Sequence, residues 1–357
     1  MGVLFKDILG SSESLFKNDV SLDYSFIPKI VPYREREQRV IAGCIKPLFQ
    51  EKPGKNVFIY GQPGVGKTVA LKKVLAELEE ETEDIIPVYI NCWHHNTTFK
   101  MVTEICEMLD FKFIQNKKTE ELFKLIKQVF NKKSVVFVLD EADKLEDFDF
   151  LYTILEDIYR KTIILITNYK EWVLNLEDRI KSRLMPEMIE FRPYNYEETK
   201  GILKHRAEYA FHPGVLSSEA FELIAKKTFE LQDIRTGLHL MKESGLIAES
   251  KSSRKINLEY AQQALDKIKE FSIKNSQELE TDEQMILELV KANSGRKIGD
   301  AFKIYQESGG KLVYKSFQRK IDKLEKSKFI TVEKTEGGED GNTTIIKSNS
   351  EKKLTEF

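Results

Sequence analysis

The sequence predicts an α/β unit built on a parallel sheet, followed by an all-helical unit and a small module of three helices and a hairpin. Three observations predict it. Short continuous apolar runs alternate with helical periodicity from about Asn56 to Phe191. The alternation stops at Pro193, after which only helical patterns follow, and a polar stretch from Lys274 opens a third region that ends in two β-rich runs.

The apolar runs are VFIY (57–60), IIPVYI (85–90), SVVFVL (134–139), TIILIT (162–167) and a short MIEF (188–191). Runs of this length without polar alternation suit parallel strands covered on both faces, and their alternation with helices predicts βαβ crossovers. In the next unit Asn195 is placed to cap a helix with Glu198 three residues on, and helices are expected near 218–228, 234–249 and 257–270. The polar stretch Lys274-Asn-Ser-Gln-Glu leads to Thr281-Asp-Glu-Gln284, which has capping-box form. Beyond it, Thr281 to Asn293, Ile298 to Glu307 and Val313 to Lys326 read as helices. In the last of these, Phe317, Ile321 and Leu324 at i, i+4, i+7 form a buried face. Phe329 to Glu333 and Thr343 to Lys347 flank a Gly-Gly-Glu-Asp-Gly turn, as in a hairpin. Three helices plus a hairpin make a winged helix, whose third helix would enter the major groove. The expected divisions are 1–193, 194–275, 276–348 and a flexible tail, 349–357. No internal repeat is evident.

Composition narrows the function. The 357 residues are 32% charged with a formal net charge of −2, so any nucleic-acid contact must come from a local patch. Between Arg296 and Lys328 stand ten Lys or Arg against four Asp or Glu, about +6, a modest phosphate footprint. Cys44, Cys92 and Cys106 form no C-x-x-C pair, which argues against a disulfide framework or zinc knuckle and for a reducing interior. Cys92, His94 and His95 are too tightly spaced for good tetrahedral ligation without a distant fourth ligand. With no apolar run near the roughly 18 residues of a membrane span and no signal-peptide pattern, a soluble cytoplasmic, nucleoid-associated protein is expected, with no membrane partner.

The strongest chemical signal is Gly61-Gln-Pro-Gly-Val-Gly-Lys-Thr68, between a strand and a helix, which fits G-x-x-x-x-G-K-[ST]. Backbone N–H groups of Gly61, Gln62, Pro63's neighbours, Gly64, Val65, Gly66 and Val69 would cradle the phosphates at a helix N-terminus; Lys67 would pair with the β and γ phosphates and Thr68 ligate Mg²⁺. Asp140 and Glu141 then close a buried strand. An acidic pair there is costly without a cation, so Asp140 would hold Mg²⁺, directly or through water, and Glu141 would activate the attacking water. Asn168, after the next strand, can hold that water without adding charge, although alone it would as readily be a turn residue.

Together with Leu176-Glu-Asp-Arg-Ile-Lys-Ser-Arg-Leu184, Ile189-Glu-Phe-Arg-Pro-Tyr194 and Gln232-Asp-Ile-Arg235, these motifs resemble an AAA+ ATPase. More narrowly the chain resembles the archaeal origin-recognition and helicase-loading initiators, relatives of the eukaryotic origin recognition complex. Phe26-Ile-Pro-Lys-Ile-Val-Pro-Tyr-Arg-Glu35 is similar to their adenine-packing segment, which implicates Val31 and Tyr33. The resemblance implies ATP or ADP with Mg²⁺ as ligands and slow, regulatory ATP hydrolysis. It makes Arg235 a lid arginine that reaches the γ-phosphate, with Leu238 and Met241 facing the lid core. Gln232 stands where the family has glycine. Arg179 and Arg183 are both candidates for the finger that completes a neighbour's site; Arg183 follows serine as the family's finger does. By location alone, about 97–116 matches a DNA-contacting insertion. In the winged helix Tyr314, Lys315, Gln318, Arg319 and Lys323 would face double-stranded origin DNA, with Gln318 and Arg319 the best-suited base readers. The implied partners are the replicative helicase and a second copy or paralogous initiator. Two other readings compete: a motor of the Holliday-junction helicase type, which joins the same three modules, and an accessory ATPase of a mobile element.

Overall fold

The computed structural model describes residues 14–112, 117–277, 281–326, 329–338 and 341–348. The chain divides into two compact units: Asp23–Arg206, and the segment ending at Leu22 together with the chain from Ala207 onward.

In the first unit the five expected strands are all present: β1 (Val57–Tyr60), β2 (Ile85–Asn91), β3 (Ser134–Asp140), β4 (Lys161–Thr167) and β5 (Glu187–Glu190). They pair in parallel in the order β2-β3-β4-β1-β5. Every residue of β3 is buried. Because side chains alternate along a strand, Val135, Phe137 and Leu139 join one core and Val136 and Val138 the other. Helices α1 (Glu35–Ile45) and α2 (Lys67–Glu81) cover the second face through Ile41, Ile45, Leu71 and Leu78. On the first face lie α3 (Thr98–Met108), α4 (Thr119–Phe130), α5 (Asp149–Asp157) and α6 (Asp178–Leu184), contributing Ile105, Ile126, Ile154 and Ile180. The order sets β1 beside β4 and β4 beside β3, so the loops after all three emerge on one sheet edge. Such an edge, at the carboxyl ends of parallel strands, is where ligands of open α/β sheets bind.

Helix α7 (Tyr196–Ala210) opens with the expected capping box: Glu198 N–H donates to Asn195 Oδ1 and Asn195 N–H to Glu198 Oε2, both at 2.9 Å. In the second unit α8 (Ser218–Leu231), α9 (Ile234–Ser250) and α10 (Leu258–Gln277) pack on one another, with Leu238 and Met241 buried. The polar stretch from Lys274 does not end the preceding helix. It continues α10 to Gln277, since Lys, Ser, Asn and Gln carry no Gly or Pro to break it. A tether unforeseen from sequence belongs to this unit. Lys17 N–H donates to Ala210 O at 2.7 Å, and the Phe16 ring lies 5.1 Å from that of Phe211. Gly245 makes room for it: a Cβ there would stand 2.3 Å from the Phe16 ring.

The C-terminal module consists of α11 (Thr281–Ala292), β6 (Arg296–Lys297), α12 (Ile298–Glu307), α13 (Tyr314–Lys326), β7 (Ile330–Gly338) and β8 (Gly341–Ser348). Its strands form an antiparallel sheet in the order β6-β8-β7. Two-residue β6 went unread because it is short, polar and paired only through backbone. Phe317, Ile321 and Leu324 are buried against Ile286, Val290 and Tyr305, the face that periodicity assigned to α13. Residues 113–116 of the expected insertion, Glu339 and Asp340 of the turn, and the tail 349–357 lie outside the described residues. Among the described residues no helix is long and apolar enough to cross a membrane.

Candidate nucleotide and nucleic-acid sites

The glycine-rich loop follows β1 and ends where α2 begins at Lys67. Gly64 and Gly66 sit at φ +78° and +87°, a conformation that side-chain-bearing residues adopt only at a cost. At Gly66 the space is closed as well, since a Cβ would approach the Tyr194 hydroxyl to 2.6 Å. Lys67 is 8% exposed. Its ammonium donates to Gly61 O at 2.6 Å, Gln62 O at 2.9 Å and Asn168 Oδ1 at 2.8 Å. All three acceptors are neutral, and their exchange for phosphate oxygens would leave no buried carboxylate behind.

Asp140, 3% exposed, ends β3. Its Oδ2 accepts from Thr68 Oγ1 and from the Tyr89 hydroxyl, each at 2.7 Å, and its Oδ1 from the Glu141 N–H at 2.9 Å. Burial, then the neighbouring Asp140 charge, pushes the Tyr89 hydroxyl well above the usual phenol range. Tyr89 was not foreseen from sequence, because its position in an apolar strand reads as core. Glu141 adopts φ 56°, ψ 44°, turning out of the strand direction. Burial first, then the charges of Asp140 and Asp143, raise its carboxyl above the ordinary range. A carboxylate shifted that way is a better proton acceptor. Asp143 carries one buried oxygen, Oδ1, with no hydrogen-bond partner, while Lys144 holds Oδ2 at 3.0 Å.

These donors fit Mg²⁺: a hydroxyl and a carboxylate oxygen, both hard, stand 2.7 Å apart beside the phosphate loop. Among the described residues no group of three or more His, Cys, Asp or Glu could hold a metal by itself. Mg²⁺ needs no such cage, since phosphates and water complete its shell. His95 instead pairs with Glu104 at 3.5 Å, and Cys92 is buried.

The segment expected to pack on adenine is anchored through a residue that sequence reading missed. Val31 is buried in the α1/α2 core, and Tyr33, at φ 65°, stands with its hydroxyl close over Gly201. Within that segment Arg34, fully buried, reaches the loop. Its Nε and Nη2 donate to Val65 O at 3.1 and 3.0 Å, and Nη2 also to Arg192 O at 2.5 Å. The guanidinium lies 4.0 Å from the Tyr194 ring centroid. The signal was available: an arginine directly before a helix in an otherwise apolar approach.

Of the two finger candidates, Arg179 pairs with Glu177 at 2.5 Å and Arg183 with Glu156. Both guanidiniums lie over the Tyr152 ring and remain about half exposed. In the other unit, Gln232 takes φ 51°, ψ 32°, the left-handed geometry that glycine usually supplies, so the turn survives the substitution. Asp233 then caps α9, accepting the Arg235 N–H at 2.9 Å and its guanidinium at 3.2 and 3.3 Å.

On α13, Lys315 and Arg319 are exposed and make no ion pair among the described residues. Gln318 is half-buried. Tyr314 is only partly outward: its ring meets Phe302 edge-on at 5.1 Å. The Lys323 ammonium, although the residue is exposed, rests on Glu283 at 2.7 Å.

A family model described as "AAA domain" matches residues 50–170, and one described as "Cdc6 AAA+ ATPase-type lid domain" matches 200–266. An ORC1-type DNA replication protein of Archaeoglobus fulgidus is 30% identical, over 90% of this chain and 83% of its own. Another, ORC1-type DNA replication protein 2 of Methanothermobacter thermautotrophicus, is 29% identical over 96% and 94%. Among solved structures, the Aeropyrum pernix ORC1 protein in complex with DNA aligns with TM-score 0.72 and 24% identity, covering 96% of this chain and 95% of that one. The RuvB Holliday-junction branch-migration motor of Thermotoga maritima aligns with TM-score 0.50 and 16% identity, covering 89% and 94%.

Proposed function

The chain belongs to the ORC1-type DNA replication proteins, AAA+ ATPases with a Cdc6-type lid, and on that premise we propose an ATP-operated initiator that binds origin DNA. The observation that carries it is the hydrogen-bonded set Lys67, Thr68, Asp140 and Asn168, held at one sheet edge within a single unit. Gly61, Gln62, Pro63, Gly64, Val65, Gly66 and Val69 frame the phosphates; Val31 and Tyr33 flank the base. Lys67 exchanges its neutral acceptors for phosphate oxygens. Thr68 and Asp140 would hold Mg²⁺, which when bound supplies charge neutralisation at the β and γ phosphates. Glu141 takes the proton of the attacking water and Asn168 orients it. Arg235 from the lid and Arg183 of a neighbouring subunit, either a second copy or a paralogue, stabilise the charge that develops on the γ-phosphate.

Hydrolysis is slow and regulatory: the nucleotide state sets which conformation is populated, and thereby DNA geometry and contact with the replicative helicase. The C-terminal module acts as a winged helix, with α13 in the major groove and Lys315, Gln318 and Arg319 foremost, Tyr314 and Lys323 beside them. The higher fold similarity to the ORC1 structure than to the branch-migration motor supports a switch over a motor. Footprinting on genomic DNA with and without ATP tests this. Preferred sites whose protection changes with nucleotide are expected; protection without any preferred site would return the reading to a mobile-element accessory ATPase.

A further inference from the structure

We infer that Glu283 is a positioning residue that limits how much positive charge α13 offers to a phosphate backbone, an inference resting on the DNA-binding reading of that helix. Glu283 lies in the first turn of α11 and is 1% exposed. Its Oε1 accepts from Lys320 Nζ at 2.9 Å and Lys323 Nζ at 2.7 Å. A carboxylate removed so fully from water keeps its charge only with strong partners, and two ammonium groups on one oxygen supply them.

The two lysines are three residues apart on α13 and therefore share a face, beside buried Phe317, Ile321 and Leu324. Their exposure differs. Lys320 is 21% exposed, buried along its stem, whereas Lys323 is 53% exposed and leans inward to the acid. Both ammonium groups are engaged by the acid, so while those contacts hold neither counts fully toward neutralising a phosphate. Glu283 also lies outside the stretch from Arg296 to Lys328, and the charge of about +6 read from that stretch omits it. The neighbouring Asp282 accepts the hydroxyl of buried Tyr305 at 2.6 Å, so the first turn of α11 is pinned to α12 while it holds α13. Lys315 and Arg319, without such ion pairs among the described residues, remain available to phosphate or base.

Because each neutralised phosphate adds about 0.9 to the slope of log affinity against log salt, the arrangement is measurable. The experiment titrates the full chain with a random-sequence duplex at several salt concentrations, by fluorescence anisotropy. Glu283→Gln should steepen the slope by about 0.9 to 1.8 and raise affinity for the random duplex several-fold. Lys323→Met should then remove about 0.9 more slope in the Glu283→Gln background than in the wild type; equal losses in both backgrounds overturn the inference. If thermal melting shows that Glu283→Gln does not fold, the wild-type background decides. There Lys323→Met should flatten the slope by less than half as much as Lys315→Met, and equal flattening overturns the inference. Should neither Lys315→Met nor Arg319→Ala change DNA affinity at all, α13 does not meet DNA, and it is the parent reading that fails.

Discussion

Two lysines, one in each unit, look alike in sequence and differ in what they offer a phosphate: Lys67 is buried, whereas Lys323 is exposed and rests on a buried acid. Lys67 is held by two carbonyls and an amide oxygen. Lys323 is held by a carboxylate that is itself 1% exposed. The three oxygens that accept from Lys67 are neutral, so exchanging them for phosphate oxygens takes no hydrogen bond from a carboxylate. Releasing Lys323 leaves Glu283 with one fewer counter-charge in a place where uncompensated charge is expensive. A lysine parked on neutral oxygens is thus ready to bind, and one parked on a buried acid is largely committed to the fold.

Mutations can break that contrast or sharpen it. The largest effect is expected at Lys67→Ala, which should abolish nucleotide binding by calorimetry while the fold persists; unchanged binding would remove the phosphate assignment and with it one half of the comparison. Glu141→Gln comes next: ATP should still bind, and hydrolysis, followed by phosphate release, should fall by about 10² to 10⁴-fold. Full turnover in that variant would assign the proton to another base. Arg319→Ala, touching a cation with no ion pair among the described residues, should weaken specific DNA binding by about 1 to 3 kcal/mol if it reads a base. An equal loss on every sequence would make it a phosphate contact instead.

The smallest effect is expected at Tyr89→Phe. It deletes one of the two hydroxyls on Asp140 Oδ2 without opening a cavity, and a hydrogen bond to a charged group is worth about 1.5 to 3 kcal/mol before compensation. The expected outcome is a several-fold loss in Mg²⁺-dependent nucleotide affinity, with nucleotide binding in EDTA unaltered. Equal loss with and without the metal would assign Tyr89 to general packing of β2 on β3.

Much of this was legible because local chemistry repeats. The five strands were visible as apolar runs, since a parallel strand covered on both faces needs no polar alternation. The capping pair Asn195 and Glu198 and the buried triplet of α13 were visible because helical spacing is rigid. Arg34 and Tyr89 escaped because their partners are distant in the chain: one borrows the Val65 carbonyl thirty-one residues away and the other the carboxylate of Asp140 fifty-one residues away. Gln232 posed the reverse problem. Its departure from glycine cast doubt on a turn that the surrounding helices nonetheless hold at positive φ.

By itself the sequence determined the kinds of element, their order, and the chemistry of the loop from Gly61 to Thr68, because those depend on neighbours a few residues apart. The strand order β2-β3-β4-β1-β5, which sets Lys67, Asp140 and Asn168 at one edge, was decided only in three dimensions. So was the attachment of Lys320 and Lys323 to Glu283, thirty-seven or more residues earlier. A charge count along the chain treats every lysine alike; burial of its partner decides which are free, and burial is a property of the packed molecule alone.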